Sequence, residues 1–194
     1  LAAISSLSPF GISIMVPLVP MLSISLDRSV SDLQYLFSIY VIGLAVSQPL
    51  FGLVTDRIGR RPVLLGGFAV FVGASVLLIF VDTLGAMISL RFMQAVGVGV
   101  GTVVARGLIR DHLPPDEALK AFALLTAAMG FTPVIAPVLG GYLATLLGMA
   151  SVFVVLALLG AGLLLLCVKY IPYEDPFDRN EDRRASLKGY LSLL

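Results

Sequence analysis

The chain has 194 residues, of which 58% are apolar and 13% charged, with 19 glycines and a formal net charge of +1. A soluble domain carries about 25% charged residues, and its water-facing surface could not hide so much apolar side chain. The composition specifies an integral membrane protein. One histidine, His112, and one cysteine, Cys167, cannot build a structural zinc site, a Cys-x-x-Cys redox pair or an internal disulfide. No basic block reads as a nucleic-acid face, and no nucleophile–base pair falls inside an apolar run. Neither enzyme chemistry nor a metal or cofactor is expected.

Charge-free runs place the helices. Leu1 to Leu26 carries no charge, and a first span is expected over about 3–25. Without a positive leader or a cleavage site it reads as a span rather than a signal peptide, and a start at Leu1 reads as a piece of a longer protein. The run from Leu33 to Thr55 predicts span 2 over 33–54, and Pro62 to Val81 predicts span 3 over 62–81. Thr83 to Ala105 contains one charge, Arg91, and predicts span 4 over 84–106. Ala121 to Val168 is 48 residues without a charge. A bilayer core takes about 20 helical residues, so this run holds two spans, over 119–145 and 149–168, turning at Leu147-Gly148.

The expected fold is all-α, a six-helix transmembrane domain over 1–169. Residues 170–194 read as a linker, broken from span 6 by Pro172 and Pro176. Within it Leu187, Tyr190, Leu191 and Leu194 make one apolar stripe, which fits a short amphipathic helix on the membrane surface and equally a solvated linker. Orientation follows from the connections. Arg57, Arg60 and Arg61, then Arg106, Arg110 and Lys120, then Lys169, Arg179, Arg183, Arg184 and Lys188 lie on one side, against Arg28 on the other. The positive-inside rule puts the first side, with both termini, in the cytoplasm.

Three stretches exceed what a membrane helix needs. The first is Gly52-Leu53-Val54-Thr55-Asp56-Arg57-Ile58-Gly59-Arg60-Arg61-Pro62. Gly52 is read as allowing a close helix approach, Gly59 as a tight reversal, and Pro62 as suiting the first turn of a helix. Asp56 can pair with a neighbouring arginine or face a helix N-terminus. The second stretch runs from Arg91 to Gly101, where Arg91, Gln94, Thr102 and Arg106 share a face. Arg91 lies roughly 10 Å below the outer edge at about 1.5 Å per residue. An arginine at such depth costs about 2.5–3.5 kcal/mol, so a water-filled cavity or a partner is expected around it, with snorkelling to the headgroups as the alternative. In the third, Gly130, Pro133, Pro137, Gly140 and Gly141 interrupt span 5, and two prolines four apart predict a kink. Met129, Pro133, Pro137 and Gly140 then line one face.

The first stretch resembles the G-x-L-A-D-R-x-G-R-[KR] loop of the major facilitator superfamily. The second is similar to that family's R-F-x-Q-G-x-G-A element, with Ala95 where glycine is usual. The third looks like the G-P-x-x-G-G element of its antiporters, with Ala136 in place of one glycine. Ala105-Arg106-Gly107-Leu108-Ile109-Arg110-Asp111 and Val16-Pro17-Leu18-Val19-Pro20 resemble segments of the bicyclomycin-resistance and chloramphenicol-efflux branch. That branch carries an aspartate where this chain has Ser13. The resemblance covers the N-terminal six-helix half of a twelve-helix transporter. It implies a gating loop of Gly52, Asp56, Arg57, Gly59, Arg60 and Arg61 with Arg110 and Asp111, Asp56 pairing with Arg57 and Arg61. It also implies proton transfer linked to Arg91.

Polar residues on span faces give a candidate substrate pathway of Ser13, Gln34, Ser38, Arg91, Gln94 and Met129; helix–helix glue is the competing reading for the serines and glutamines. No Asp or Glu falls inside a span. Asp32, at the outer start of span 2, is the candidate proton carrier within the chain, because arginine stays charged at any accessible pH. The expected function is export of small amphipathic compounds from the plasma membrane, a multidrug efflux by proton antiport and alternating access. A carrier for a sugar, amino acid or other metabolite is the alternative, and a non-transporting sensor or scaffold is a third. The implied partners are a small-molecule substrate, protons or another coupling ion, the bilayer and a C-terminal half.

Overall fold

The computed structural model describes residues 1–171, and the predicted amphipathic stripe at 187–194, with Pro172 and Pro176, lies outside them. Span 1 is α1 (Ala2–Ser13) and α2 (Val19–Leu26), joined through a 3-10 turn at Val16–Leu18. Spans 2 to 6 are α3 (Val30–Ile58), α4 (Arg60–Leu77), α5 (Leu84–His112), α6 (Pro115–Leu147) and α7 (Ala150–Tyr170). All six are long and apolar enough to cross a membrane, and no strand occurs among the described residues.

The break in span 1 departs from the continuous helix expected over 3–25. Pro17 has no N–H for the Ser13 carbonyl, and its ring crowds that turn, so α1 stops at Ser13. Pro17 and Pro20 then sit at the starts of the 3-10 turn and α2, where a missing N–H costs nothing. Spans 4 and 5 run longer than expected. Span 4 stays helical through its charged end to His112, and α6 begins at Pro115, a residue suited to a first helical turn. Gly59 (φ 92°) reverses the chain between α3 and α4, and Gly148 (φ 86°) does so between α6 and α7.

Span 4 is the axis of the bundle. In its most apolar stretch 61% of residues are buried, against 17% in spans 2 and 5. The alternation Val96-Gly97-Val98-Gly99-Val100-Gly101 explains how three neighbours approach one helix. A Cβ on Gly97 would stand 2.5 Å from the Gly67 carbonyl and 2.7 Å from the Phe71 amide of α4. One on Gly99 would collide with the Ser47 side chain of α3, and one on Gly101 would lie 2.7 Å from the Ile4 carbonyl of α1. Between membrane helices, where lipid competes on equal terms for apolar surface, this close packing is a main source of cohesion.

Candidate functional site

Arg91 lies wholly inside the bundle, with no exposed surface. Its Nη1 donates to the Gln94 Oε1 at 2.5 Å and its Nη2 to the Gly11 carbonyl at 3.0 Å. The guanidinium carbon sits 4.1 Å from the centroid of the Tyr40 ring. Gln94 passes the chain on, its Nε2 donating to Ser75 Oγ at 2.7 Å, and Ser75 donates to the Phe71 carbonyl at 2.7 Å. Tyr40 in turn donates to the Ser8 carbonyl at 3.2 Å. Two side chains of span 4, Arg91 and Gln94, therefore join it to spans 1, 2 and 3.

The energetics explain why the charge is tolerated. Gly11 lies in the last turn of α1, where the proline-induced break leaves carbonyls short of donors, and a cation also complements the helix dipole there. Hydrogen bonds to a charged group contribute about 1.5–3 kcal/mol each, and a desolvated cation–π contact about 2 kcal/mol. Together they offset an insertion cost of about 2.5–3.5 kcal/mol. This corrects two expectations. Arg91 neither snorkels nor faces an open cavity, because it is enclosed by the Gly11 carbonyl of span 1, the Tyr40 ring of span 2 and the Gln94 amide of its own helix. Gln94, also without exposed surface, belongs to the same network rather than to an open wall. Sequence reasoning missed Tyr40, Gly11 and Ser75. Ser75 had a signal, as the one polar side chain between Pro62 and Val81, whereas a backbone carbonyl such as that of Gly11 has none.

The other expected pathway residues are scattered. Gln34 and Ser38 are exposed on α3, and Ser13 is half-buried at the end of α1. Met129 packs beside Ala105, Ile109 and Leu125 near the arginine-rich ends of spans 4 and 5.

At that arginine-rich end a groove of about 450 Å³ is lined by Gln48, Gly52, Asp56, Arg60, Arg106 and Arg110, among others. Arg60, almost fully buried, forms an ion pair with Asp111, which Arg110 also reaches at 3.0 Å. The loop between spans 2 and 3 is thus fastened to the end of span 4. Arg61 donates instead to the Val168 carbonyl of α7 at 2.9 Å. Arg57 is exposed in the last turn of α3. The expected role of Gly52 needs correction. Nothing lies within 4 Å of where its Cβ would stand, so no close approach depends on it here; that work falls to Gly43, whose Cβ would meet Ala95 and the Phe92 carbonyl.

Span 5 is one helix through Pro133 and Pro137. Its packed row is Leu125, Thr132, Ala136, Gly140 and Ala144, so Pro133 is exposed, Pro137 half-buried, and Gly130 opens onto no neighbour. Gly140 and Gly141 rest on the break in span 1. A Cβ on Gly140 would collide with the Ile14 carbonyl, and one on Gly141 would lie 3.5 Å from Pro17.

Asp32 has a structural task. It completes a capping box with Ser29, accepting from the Ser29 amide at 3.2 Å and the Ser29 hydroxyl at 2.8 Å, while its own amide donates to Ser29 Oγ at 3.1 Å. Ser29-x-x-Asp32 was a readable helix-start signature, and it places this carboxylate at the first turn of α3.

A family model for the major facilitator superfamily matches residues 1–193. The chain belongs to the major facilitator superfamily. It is 35% identical over 164 residues to Multidrug resistance protein MdtL of Escherichia coli O45:K1 (strain S88 / ExPEC), covering 84% of this chain and 42% of that protein. It is 30% identical over 182 residues to Multidrug resistance protein D of Escherichia coli (strain K12), covering 94% of this chain and 46% of that one. The chain therefore spans less than half the length of these curated relatives. Family membership and six apolar helices make it part of a multi-pass membrane protein, built as one half of a major facilitator fold.

Proposed function

We propose that this chain is the N-terminal half of a drug exporter that works by alternating access, moving small amphipathic compounds out through the plasma membrane. The observation that carries the reading is the uneven burial of its spans. Span 4, with 61% of its most apolar stretch buried, is the most enclosed and carries the Arg91 network, whereas spans 2 and 5 bury only 17% of theirs and leave Gln34, Ser38, Gln48, Phe131 and Tyr142 exposed. A clamped core with two uncovered helices is what a rigid half needs if it is to rock against a second half around a shared pathway. The multidrug resistance proteins it resembles, more than twice its matched length, supply the chemical class of the cargo.

In this reading residues 1–169 form the moving half and 170–194 lead to the second. The arginine-rich connections support a cytoplasmic position for both termini of the segment, by the positive-inside rule. Asp56, Arg60 and Asp111 act at the inner end, where breaking and remaking polar contacts accompanies the switch between states. Arg91 holds spans 1 to 4 as a unit and moves no proton itself. A second reading, a major facilitator carrier without proton coupling, is favoured by one observation. Asp32, the carboxylate expected to carry the proton, is engaged in capping α3.

The test uses the complete parent protein in proteoliposomes, following internal pH while neutral and cationic amphipathic compounds are added. Compound flux with opposite proton movement supports antiport and directs the search for the proton carrier to the second half. Flux without proton movement selects the uncoupled carrier, and binding without flux rejects transport.

A further inference from the structure

A second opening at the arginine-rich end lies away from the Arg60–Asp111 pair. It is a groove of about 580 Å³ between the start of span 1 and the ends of spans 4 and 6, walled by Ile4, Leu108, Ile109, Leu163, Leu166 and Cys167. Among the described residues its ionisable side chains besides Cys167 are His112 and Tyr170, and Leu1 and Ile171 line it as well. His112 is one helical turn beyond Leu108 and Tyr170 about two turns beyond Leu163, so both mark the same end of the groove. Cations gather at that end. Lys169 stands over the Tyr170 ring at 5.2 Å, and Arg61 reaches the Val168 carbonyl at 2.9 Å. The neighbouring acid, Asp111, is engaged by Arg60 and Arg110.

Two features of this groove select its occupant. Walls this apolar, on helices at membrane depth, favour hydrocarbon over water, and Leu166 is half exposed on the rim. A cationic end at the level where the helices leave the membrane attracts negative headgroups. We propose that the groove holds one acyl chain of an anionic phospholipid from the leaflet on the arginine-rich side. Its headgroup sits at Lys169, with Arg61 and His112 beside it. The proposal rests on the membrane-spanning assignment and is independent of whether the protein transports anything.

The experiment places the complete parent protein in nanodiscs of phosphatidylcholine containing a minor share of phosphatidylglycerol with a photoactivatable acyl chain. Adducts are mapped by peptide mass spectrometry. They are expected to concentrate on the segments around Leu108–His112 and Leu163–Cys167, several-fold above those on the exposed Gly66 and Val70 of α4. Leu166→Trp, at a half-exposed position that tolerates bulk, should lower the groove adducts several-fold. Lys169→Gln should leave the groove filled and remove the preference for phosphatidylglycerol over an equally labelled phosphatidylcholine. Adducts spread evenly and unmoved by Leu166→Trp would reduce the groove to ordinary bilayer contact and overturn the proposal. So would equal labelling by the two lipids in the unmutated protein, or a crosslink from Cys167 to protein residues filling the groove.

Discussion

Two arginines, Arg91 and Arg60, are both buried, and they are satisfied in opposite ways. Arg91 sits deep in span 4 among a carbonyl, an amide and an aromatic face, with no carboxylate in contact. Arg60 sits where span 3 begins and pairs with Asp111, whose side chain remains 31% exposed. Deep in the bundle a carboxylate partner would itself have to be desolvated, and it would bring a second titratable group into the core. Fixed dipoles carry no such penalty and cannot be discharged. At the membrane edge an ion pair can exchange with water and with other charges, so it can open and close. The deep arginine is therefore a fastener and the shallow one a latch.

The largest test of that contrast is Arg91→Ala. It leaves the Gly11 carbonyl and the Gln94 amide without their partner, at about 1–3 kcal/mol for each. A marked fall in thermal midpoint is expected in detergent, together with loss of flux in the complete protein, and little dependence on salt. A loss that salt modulates strongly would erase the difference from Arg60. Next comes the latch. Arg60→Ala or Asp111→Asn should cost on the order of 1–3 kcal/mol, since each strands a partly buried partner, and should shift the balance between transport states. The exchange Arg60→Asp with Asp111→Arg should restore part of the loss, measured by denaturation and by flux. No rescue would mean the two residues act separately.

A smaller effect is expected from Asp32→Ala, about 0.5–1 kcal/mol, as for other helix caps. Proton-to-substrate stoichiometry should not change, and a change would return Asp32 to the coupling path. Smallest of all, Gly52→Ala should alter stability by less than about 0.5 kcal/mol, because no neighbour stands near its Cβ. Flux lost with stability retained would show that the neighbour of Gly52 lies in the second half.

The helix count was legible because a charge-free run must be housed in lipid, and 48 such residues can only be two crossings. The family was legible in the Gly52–Pro62 loop, where the grouping of glycines, Asp56 and arginines exceeds any topological need. The break in span 1 was less visible. Its prolines entered as part of a family resemblance, although Pro17 falls four residues after Ser13 and removes a ladder bond there. The depth of Arg91 could be counted along one helix, but two of its partners come from other spans, and one of those is a main-chain oxygen. Asp32 was legible in another way: capping and proton transfer ask for the same carboxylate, and the Ser29-x-x-Asp32 spacing marks the first of them.

The glycines of span 4 carry a further consequence. Each of Gly97, Gly99 and Gly101 leaves less than a methyl group of clearance to a different neighbour, so any thickening of this helix displaces three others at once. Variation that retunes what the protein handles has little room along that axis. It is expected to accumulate on spans 2 and 5, where side chains can change without moving a backbone, so natural variants of differing preference should diverge there while span 4 keeps its spacing.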